Sequence, residues 1–451
     1  MKERLTRIRI TAVTPEGYGI GRDEDGKVVF VPDTAPGDLV AAGIIKELKN
    51  SSVARLEEII APSPMRVIPD CRVCRKCGGC VFRHISYDAE TEIKRGFVRE
   101  AFARIGGMDI EAGETRRGSE LYYRNKVQYP FARGEDGKCV FGYYARRSHR
   151  VVRHDVCLLQ DQSFYETARY CAGRADELGI PAYDEQTASG VLRHIVMRRS
   201  RAGEMLVCLV TNENSAALRR LAEDIFNRFP FIAGVHINLN ARRDNVIFGE
   251  ETFRAAGDEA LYDTLCGKKF ALSPRSFYQV NAEMAERLYS HAAKLAAGAG
   301  GRVILDLYCG VGAVGLCVAG ADDKLCGVEI IPEAAEDARA NAKLNGRSEE
   351  NTLFVCGDAA CGVRECEKRF GSPDVITVDP PRKGLDTAVI DTIVSAAPEK
   401  VIYISCDPAT LARDCRIFAE KGYKTDKATP FDLFPRTGHI ETVALITRAG
   451  L

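Results

Sequence analysis

The sequence predicts a multi-domain α/β protein: an N-terminal OB-like β-barrel, a central α/β domain and a C-terminal Rossmann-like parallel sheet. Three observations carry this prediction. The first 60 residues break into short β-rich runs separated by Gly, Pro and Asp turns. The middle of the chain mixes helical periodicity with strand-like runs. From about residue 282 apolar runs ending in Gly, Asp or Pro alternate regularly with helical stretches, as buried parallel strands in βαβ units do. At 451 residues, with roughly 150 residues per domain as a guide, about three domains are expected.

In the first segment, RLTRIRITAV, KVVFVP, DLVAAGIIKEL and VARLEEII read as strands. Four or five such strands in so short a segment suit a small closed barrel, either nucleic-acid-binding or only packed on its neighbour. Pro62, Pro64 and Pro69 then mark a linker. The expected boundaries are 1–62 for the barrel, 67–275 for the central domain and 276–451 for the C-terminal domain. With 45% hydrophobic residues the composition is that of a soluble globular protein, and the lack of an apolar run of 18 or more residues rules out a membrane-spanning helix. MKERLTRIRI lacks the apolar core of an export signal, so a cytoplasmic location is expected.

The formal net charge is zero, 63 basic against 63 acidic residues, but the charge is unevenly spread. Residues 67–160 hold 18 basic and 12 acidic groups, whereas residues 251–451 hold 24 and 29. Charge acts over about a Debye length, so the local excess outweighs the sum. Two basic groups, Arg146–His154 and Arg193, His194, Arg198, Arg199 and Arg201, read either as solvated surface or as phosphate contacts. Tyr122-Tyr123-Arg124-Asn125-Lys126 sets aromatics beside cations, a pattern suited to stacking unpaired bases.

The C-terminal strands end in chemistry. Asp306-Leu307-Tyr308-Cys309-Gly310-Val311-Gly312 is a Gly-rich turn after the first parallel strand, where open α/β sheets bind ligands. Glu329 closes the second strand, suited to accepting ribose hydroxyls, and Asp358 closes the third, near an adenine. This series is what S-adenosyl-L-methionine methyltransferases use, with another nucleotide site as the alternative. Asp379-Pro380-Pro381-Arg382 ends the fourth strand. An aromatic would stack on an exocyclic-amine target at the position of Arg382, so the departure points to ring-carbon chemistry.

Cys406 follows the fifth strand and precedes a helix, whose N-terminal dipole is expected to lower its thiol pKa. A pyrimidine C5 takes up a methyl group only after a nucleophile adds to C6, which gives the thiolate a role. The C5 proton must then be removed. Glu441, opening the last strand in GHIETV, is the favoured base, with His439 its rival. Cys71, Cys74, Cys77 and Cys80 stand at three-residue spacing, compatible with zinc or with [4Fe–4S].

The D-P-P-R-x-G…Y-x-S-C-D-P-A-T block with H-I-E-T downstream resembles the RNA uracil-C5 methyltransferase family. Three further features resemble its 23S ribosomal RNA branch. They are the barrel with P-G-D and S-P-x-R, which looks like a TRAM domain, the cysteine cluster, and Ser276-Phe277-Tyr278-Gln279-Val280-Asn281. The resemblance implies Cys406 as nucleophile and Glu441 as base, with Gln279, Tyr308, Glu329 and Asp379 lining the methyl-donor site and Asp358 beside them. It implies a [4Fe–4S] cluster on Cys71, Cys77, Cys80 and the distant Cys157, leaving Cys74 extra. Where the family often has Asn after the nucleophile stands Asp407, expected to cap the following helix. Where it often has a polar residue stands Ala313. The partner implied is RNA, 23S rRNA foremost, bound by a monomer. A tRNA uracil-C5 methyltransferase and a non-catalytic iron–sulfur RNA-binding factor are the rival readings.

Overall fold

The computed structural model describes residues 5–450. Five strands, Leu5–Val13, Tyr18–Arg22, Val28–Pro32, Leu39–Glu47 and Ser51–Ala61, form a closed barrel. Alternation drives it: along Leu5–Val13 every second side chain points inward, and Ile8, Ile10, Val29, Val31, Val40 and Ala54 fill the interior. The segment read as a linker is fastened to this barrel. The buried Asp38 carboxylate accepts hydrogen bonds from Ser63 N at 2.8 Å and Arg66 Nε at 3.0 Å, which gives the P-G-D and S-P-x-R motifs a joint purpose.

The central six-stranded sheet runs in the order Glu251–Gly257, Ile232–Leu239, Met205–Thr211, Leu192–Arg199, Lys126–Arg133, Cys139–Phe141. Helices Gln162–Glu177 and Ala216–Arg228 pack on one face through Phe164, Cys171, Leu221 and Ile225. The reading of the Arg193 group as solvated surface is corrected here for three of its five members. Leu192–Arg199 is an inner strand, Arg193, His194 and Arg198 are buried, and both arginines are spent on backbone carbonyls. Arg193 Nη1 donates to the carbonyls of Asn240 and Arg242, and Arg198 Nη2 to that of Ser276 at 2.6 Å. Arg201 pairs with Glu286 at 2.7 Å.

The C-terminal sheet has seven strands, ordered Thr352–Cys356, Lys324–Glu329, Val303–Leu307, Val375–Val378, Lys400–Ser405, Glu441–Arg448, Tyr423–Phe431. The first five are parallel, and Glu441–Arg448 runs antiparallel to Lys400–Ser405. Strand order reverses between Val303–Leu307 and Val375–Val378, so a crevice opens at their carboxyl ends. Its core also takes in Val98, Ala101 and Phe102 from helix Tyr87–Ala101 and the following turn, and Leu265, Phe270 and Leu272 from the hairpin upstream.

A buried ion network ties these parts together. Lys94, fully enclosed, donates to Glu90 Oε1 at 2.7 Å, Asp432 Oδ1 at 2.8 Å and the Phe434 carbonyl at 3.2 Å. Arg436 pairs with Glu90 and Glu120, and its carbonyl accepts from the amides of Val81 and Phe82. Helix, cysteine segment and the loop before Glu441 thus share one knot. Removing the cation would leave two carboxylates facing each other without water. Lys94→Met is expected to cost about 3–5 kcal/mol, read as a lowered denaturation midpoint. A midpoint within error of the parent would show that the network is not holding the domains.

Candidate active site

The crevice at the switch point is a cavity of about 830 Å³ whose lining includes Gln279, Tyr308, Glu329, Asp358 and Asp379. All five residues expected at a donor site therefore share one space. The Gly-rich turn makes room for it: Tyr308, Gly310 and Gly312 have φ of 63°, 54° and 82°. Left-handed backbone at a non-glycine is costly and tends to be kept where a site needs it. Glu329 is held at both oxygens, Oε2 accepting from Gly310 N at 3.0 Å and Oε1 from Ile331 N at 2.9 Å. Beneath the turn Asp306 accepts from Gly315 N at 2.8 Å and Thr377 Oγ1 at 2.7 Å, and burial pushes its carboxyl up to about 7. Asp358 caps helix Ala359–Phe370 through Cys361 N at 2.7 Å. Ala313 lines the cavity without a polar group.

Gln279 sits on a segment anchored from three sides. Arg198 holds the Ser276 carbonyl, Ser276 Oγ donates to Asp337 at 2.8 Å, and Asn281 Nδ2 donates to the Leu433 carbonyl at 3.1 Å. Arg198 thus positions the crevice wall from inside.

Cys406 and Glu441 lie beside this cavity, joined to it by Asp379. Their strands, Lys400–Ser405 and Glu441–Arg448, are paired neighbours, with Ser405 opposite Thr442. The thiol is pushed up to about 11, first by burial, then by the charges of Glu441 and Asp379. The expectation of a helix-lowered thiol is thereby overturned: desolvation and two carboxylates outweigh a dipole that is partly spent on Asp407. Asp407 itself behaves as expected, its Oδ1 accepting from Ala409 N at 2.9 Å and Thr410 N at 3.0 Å. Glu441, 5% exposed, is pushed up to about 8 by burial and Asp379, and Asp379 up to about 7 by burial and Asp306. His439 is exposed and meets the edge of Phe434.

Arg382 had no role in the sequence reading beyond its departure from an aromatic. Its positive charge lowers both Cys406 and Glu441 against the carboxylates. Its loop is held by Thr410 Oγ1, which donates to the Arg382 carbonyl at 3.2 Å, and by Asp414, which accepts from Leu385 N at 2.8 Å. Gly384 of the D-P-P-R-x-G motif has φ 71°, and a Cβ there would lie 2.6 Å from Asp414 Oδ2.

At the cysteine segment, the charge of Cys157 acts on Cys80, and those of Cys77 and Cys71 act on Cys157, so the four thiols expected together are mutual neighbours. Cys74 lies at the edge of the same group, acted on by the charges of Cys71, Arg75 and Asp33 and sharing a small pocket with Cys80. Arg83, Arg124 and Arg146 surround the four, and each has a buried nitrogen without a partner. Among the described residues no group of three or more His, Cys, Asp or Glu side chains is gathered to hold a single metal ion. In the aromatic–basic run Tyr122 is exposed but Tyr123 is buried, its hydroxyl donating to the Pro435 carbonyl at 3.0 Å. The stacking expectation is corrected to Tyr122 alone. In the Arg146–His154 run, Arg147, Arg150 and Arg153 are exposed, while His154 is buried against Tyr143.

Residues 241–449 match the family model described as tRNA (Uracil-5-)-methyltransferase, and residues 4–56 match the TRAM domain. Over 449 residues the chain is 40% identical to an uncharacterized RNA methyltransferase of Halalkalibacterium halodurans, covering 99% of this chain and 97% of that one. A second uncharacterized RNA methyltransferase, from Clostridium acetobutylicum, is 39% identical over 96% of this chain and 94% of its own length. Among solved structures, the Pyrococcus abyssi tRNA (uracil-54, C5)-methyltransferase in complex with S-adenosyl-L-homocysteine has a TM-score of 0.79. Identity is 26%, over 98% of this chain and all of that one.

The coupling of the thiol to its neighbours is open to direct measurement. Asp379→Asn removes a negative charge beside Cys406, so the thiol should ionise at lower pH. Peptide-resolved alkylation by iodoacetamide is expected to show a Cys406 midpoint near 11 in the parent protein and a lower one in the variant. Identical midpoints would remove Asp379 from the site's electrostatics.

Proposed function

The chain belongs to the S-adenosyl-L-methionine-dependent RNA uracil-5 methyltransferase family, and from that premise we propose that it methylates C5 of a uridine in 23S rRNA through a covalent adduct. The observation that carries the reading is the charge-coupled group Cys406, Glu441 and Asp379 beside the donor cavity.

The cavity suits the donor chemically. Glu329, with both oxygens fixed by backbone amides, is set to accept ribose hydroxyls, and Asp358 to meet the adenine. Asp379 and Gln279 line the same space, where a carboxylate favours a sulfonium cation. When bound, S-adenosyl-L-methionine supplies an electrophilic methyl group. The chain's own residues do the rest. Cys406 Sγ, as thiolate, adds to C6 of the uracil ring and drives electron density onto C5. C5 then takes the methyl group, the donor sulfur keeping the electrons of the broken bond. Glu441 removes the C5 proton, the C6–Sγ bond breaks, and the electron pair returns to Cys406 as thiolate. Once ionised, a carboxylate whose acid form is pushed up to about 8 holds a proton more strongly than an ordinary one, which suits taking the C5 proton. To reach C6 the uridine must leave its stack.

The choice of 23S rRNA rests on the fastening of P-G-D to S-P-x-R at Asp38 and on the cysteine set, the features that resemble that branch. Likeness to the Pyrococcus abyssi tRNA enzyme supports tRNA as the second reading. The expected result with 5-fluorouridine RNA and donor is a stable protein–RNA adduct, absent in Cys406→Ala. Glu441→Gln is expected to methylate and then accumulate adduct on unsubstituted RNA. Adduct formation by Cys406→Ala, or normal release by Glu441→Gln, would overturn these roles. Mapping 5-methyluridine in both RNA classes from a deletion strain separates the two substrates.

The [4Fe–4S] cluster is part of the same proposal, held by Cys71, Cys77, Cys80 and Cys157. Four neighbouring thiols ringed by arginines with unpartnered nitrogens suit an anionic cluster, whose ligands bind separate irons and so stand apart. Uracil methylation moves no electron, so the cluster's contribution is structural. Protein purified without oxygen is expected to contain iron and acid-labile sulfide in equal amounts. Cys157→Ser should lose both and Cys74→Ser should keep them. Zinc alone in the parent protein would refute the cluster.

A further inference from the structure

The central sheet has two faces, and helices fill only one. The other is covered in its middle by Ile247 and Phe248, packed on Val196, Cys208 and Val210. Beyond that cover, where His194 lies opposite Pro130 on the neighbouring strand, the face remains open as a second cavity of about 390 Å³. Its wall includes Arg124, Lys126, Gln128, Tyr144, His194 and Val280, and no described residue lining it is acidic.

The polar groups there include one buried atom with no partner. His194 is 7% exposed, its Nδ1 is unmet, and burial with the charge of Arg193 pushes the imidazole down to about 4. Lys126 faces the ring of Phe248 at 5.8 Å, and burial with the charge of Arg198 pushes its ammonium down to about 8. A partly desolvated ammonium with no carboxylate in its own cavity is unfavourable until an anion joins it.

The position of the cavity identifies the anion. Val280 lines it, while the preceding residue, Gln279, lines the donor cavity. Asn125 braces both, its backbone N–H donating to the Val280 carbonyl at 2.8 Å and its Nδ2 to the Gln279 carbonyl at 3.0 Å. One step of backbone therefore separates the cationic cavity from the catalytic crevice. We propose that this cavity receives a phosphate group of the RNA strand next to the target uridine, held by Lys126 and Arg124 with His194 beneath. The inference rests on the RNA-methyltransferase reading and adds to it a specific anchoring site.

The test uses the full-length holoenzyme with S-adenosyl-L-homocysteine bound, measuring the Kd for substrate RNA over a range of salt. Lys126→Met is expected to weaken RNA about tenfold and to reduce the salt slope by about 0.7–0.9, the effect of one lost phosphate contact. Lys126→Arg should restore both, and S-adenosyl-L-homocysteine affinity should stay unchanged. Gln128→Glu, which sets a carboxylate in the half-exposed wall, should weaken RNA further and serves if Lys126→Met does not fold. Unchanged RNA affinity and salt slope in a folded Lys126→Met or Gln128→Glu would overturn the site. Inorganic phosphate raising the melting temperature of the parent but not of Lys126→Met, with RNA affinity equal in both, would also overturn it, marking a small-anion site. Failure of the parent itself to bind or methylate uridine-containing RNA would instead overturn the functional reading beneath it.

Discussion

The arrangement depends on a lysine with no water in reach. Lys94 comes from a helix that follows the cysteine segment, yet its ammonium is closed in by Asp432 and the Phe434 carbonyl, more than 300 residues away in sequence. Such a cation is tolerated only when every donor is met, so the loop 432–440 must adopt the shape that meets it. That loop delivers Glu441 to the crevice. It also touches the barrel: Gly438 lies against Pro15 so closely that a Cβ would fall 1.6 Å from the Pro15 carbonyl oxygen. A glycine is required there because backbone meets backbone. Barrel, cysteine segment and catalytic strand are thereby referred to one another by contacts that admit little adjustment.

The same low-dielectric setting governs the chemistry. Glu441 and Asp379 raise the cost of charging Cys406, Asp379 raises that of Glu441, and Arg382 pulls the opposite way on both. A sulfonium placed against Asp379 would offset one of the two negative charges that hold the thiol up. In the proposed mechanism donor binding and thiolate formation are then linked, because both act through the field of one carboxylate. The raised carboxyl of Glu441 follows from the same field and leaves a base of suitable strength.

Much of this was legible in the sequence, and the legible part has a common physical basis. Parallel strands buried on both faces must be apolar, and they end where Asp, Gly or Pro stops them, so Asp306, Glu329, Asp358, Asp379 and Cys406 could be ranged along one edge from the string alone. The barrel was readable from alternation. Burial of charge was not. Arg193 and Arg198 carry the composition of a surface patch, and only carbonyl partners 47 to 78 residues downstream turn them into internal ties. Lys94 and Arg436 escaped notice for the same reason. Tyr123 looked like a stacking platform until Pro435 covered its hydroxyl. For Cys406 the following helix and the acid Glu441 were both visible, whereas the burial of the thiol was not, and burial prevailed.

The balance of 63 positive and 63 negative charges takes on a different meaning in this light. Some of the cations that make residues 67–160 basic are spent inside the protein, Lys94 on Glu90 and Asp432 and Arg83 on Asp70. Most of the others stay at the surface, among them Arg72, Arg75 and Lys76 in the cysteine segment and Arg147, Arg150 and Arg153 further on, with Tyr122 nearby in the chain and a recessed cavity beside the crevice. Exposed cations of this kind attract any phosphate backbone, and salt screens that attraction. Selectivity has to come from enclosed contacts in which a phosphate or base is desolvated and met by fixed donors. Those contacts are strong only when the strand has the right shape, so discrimination rests on them and not on the surface charge.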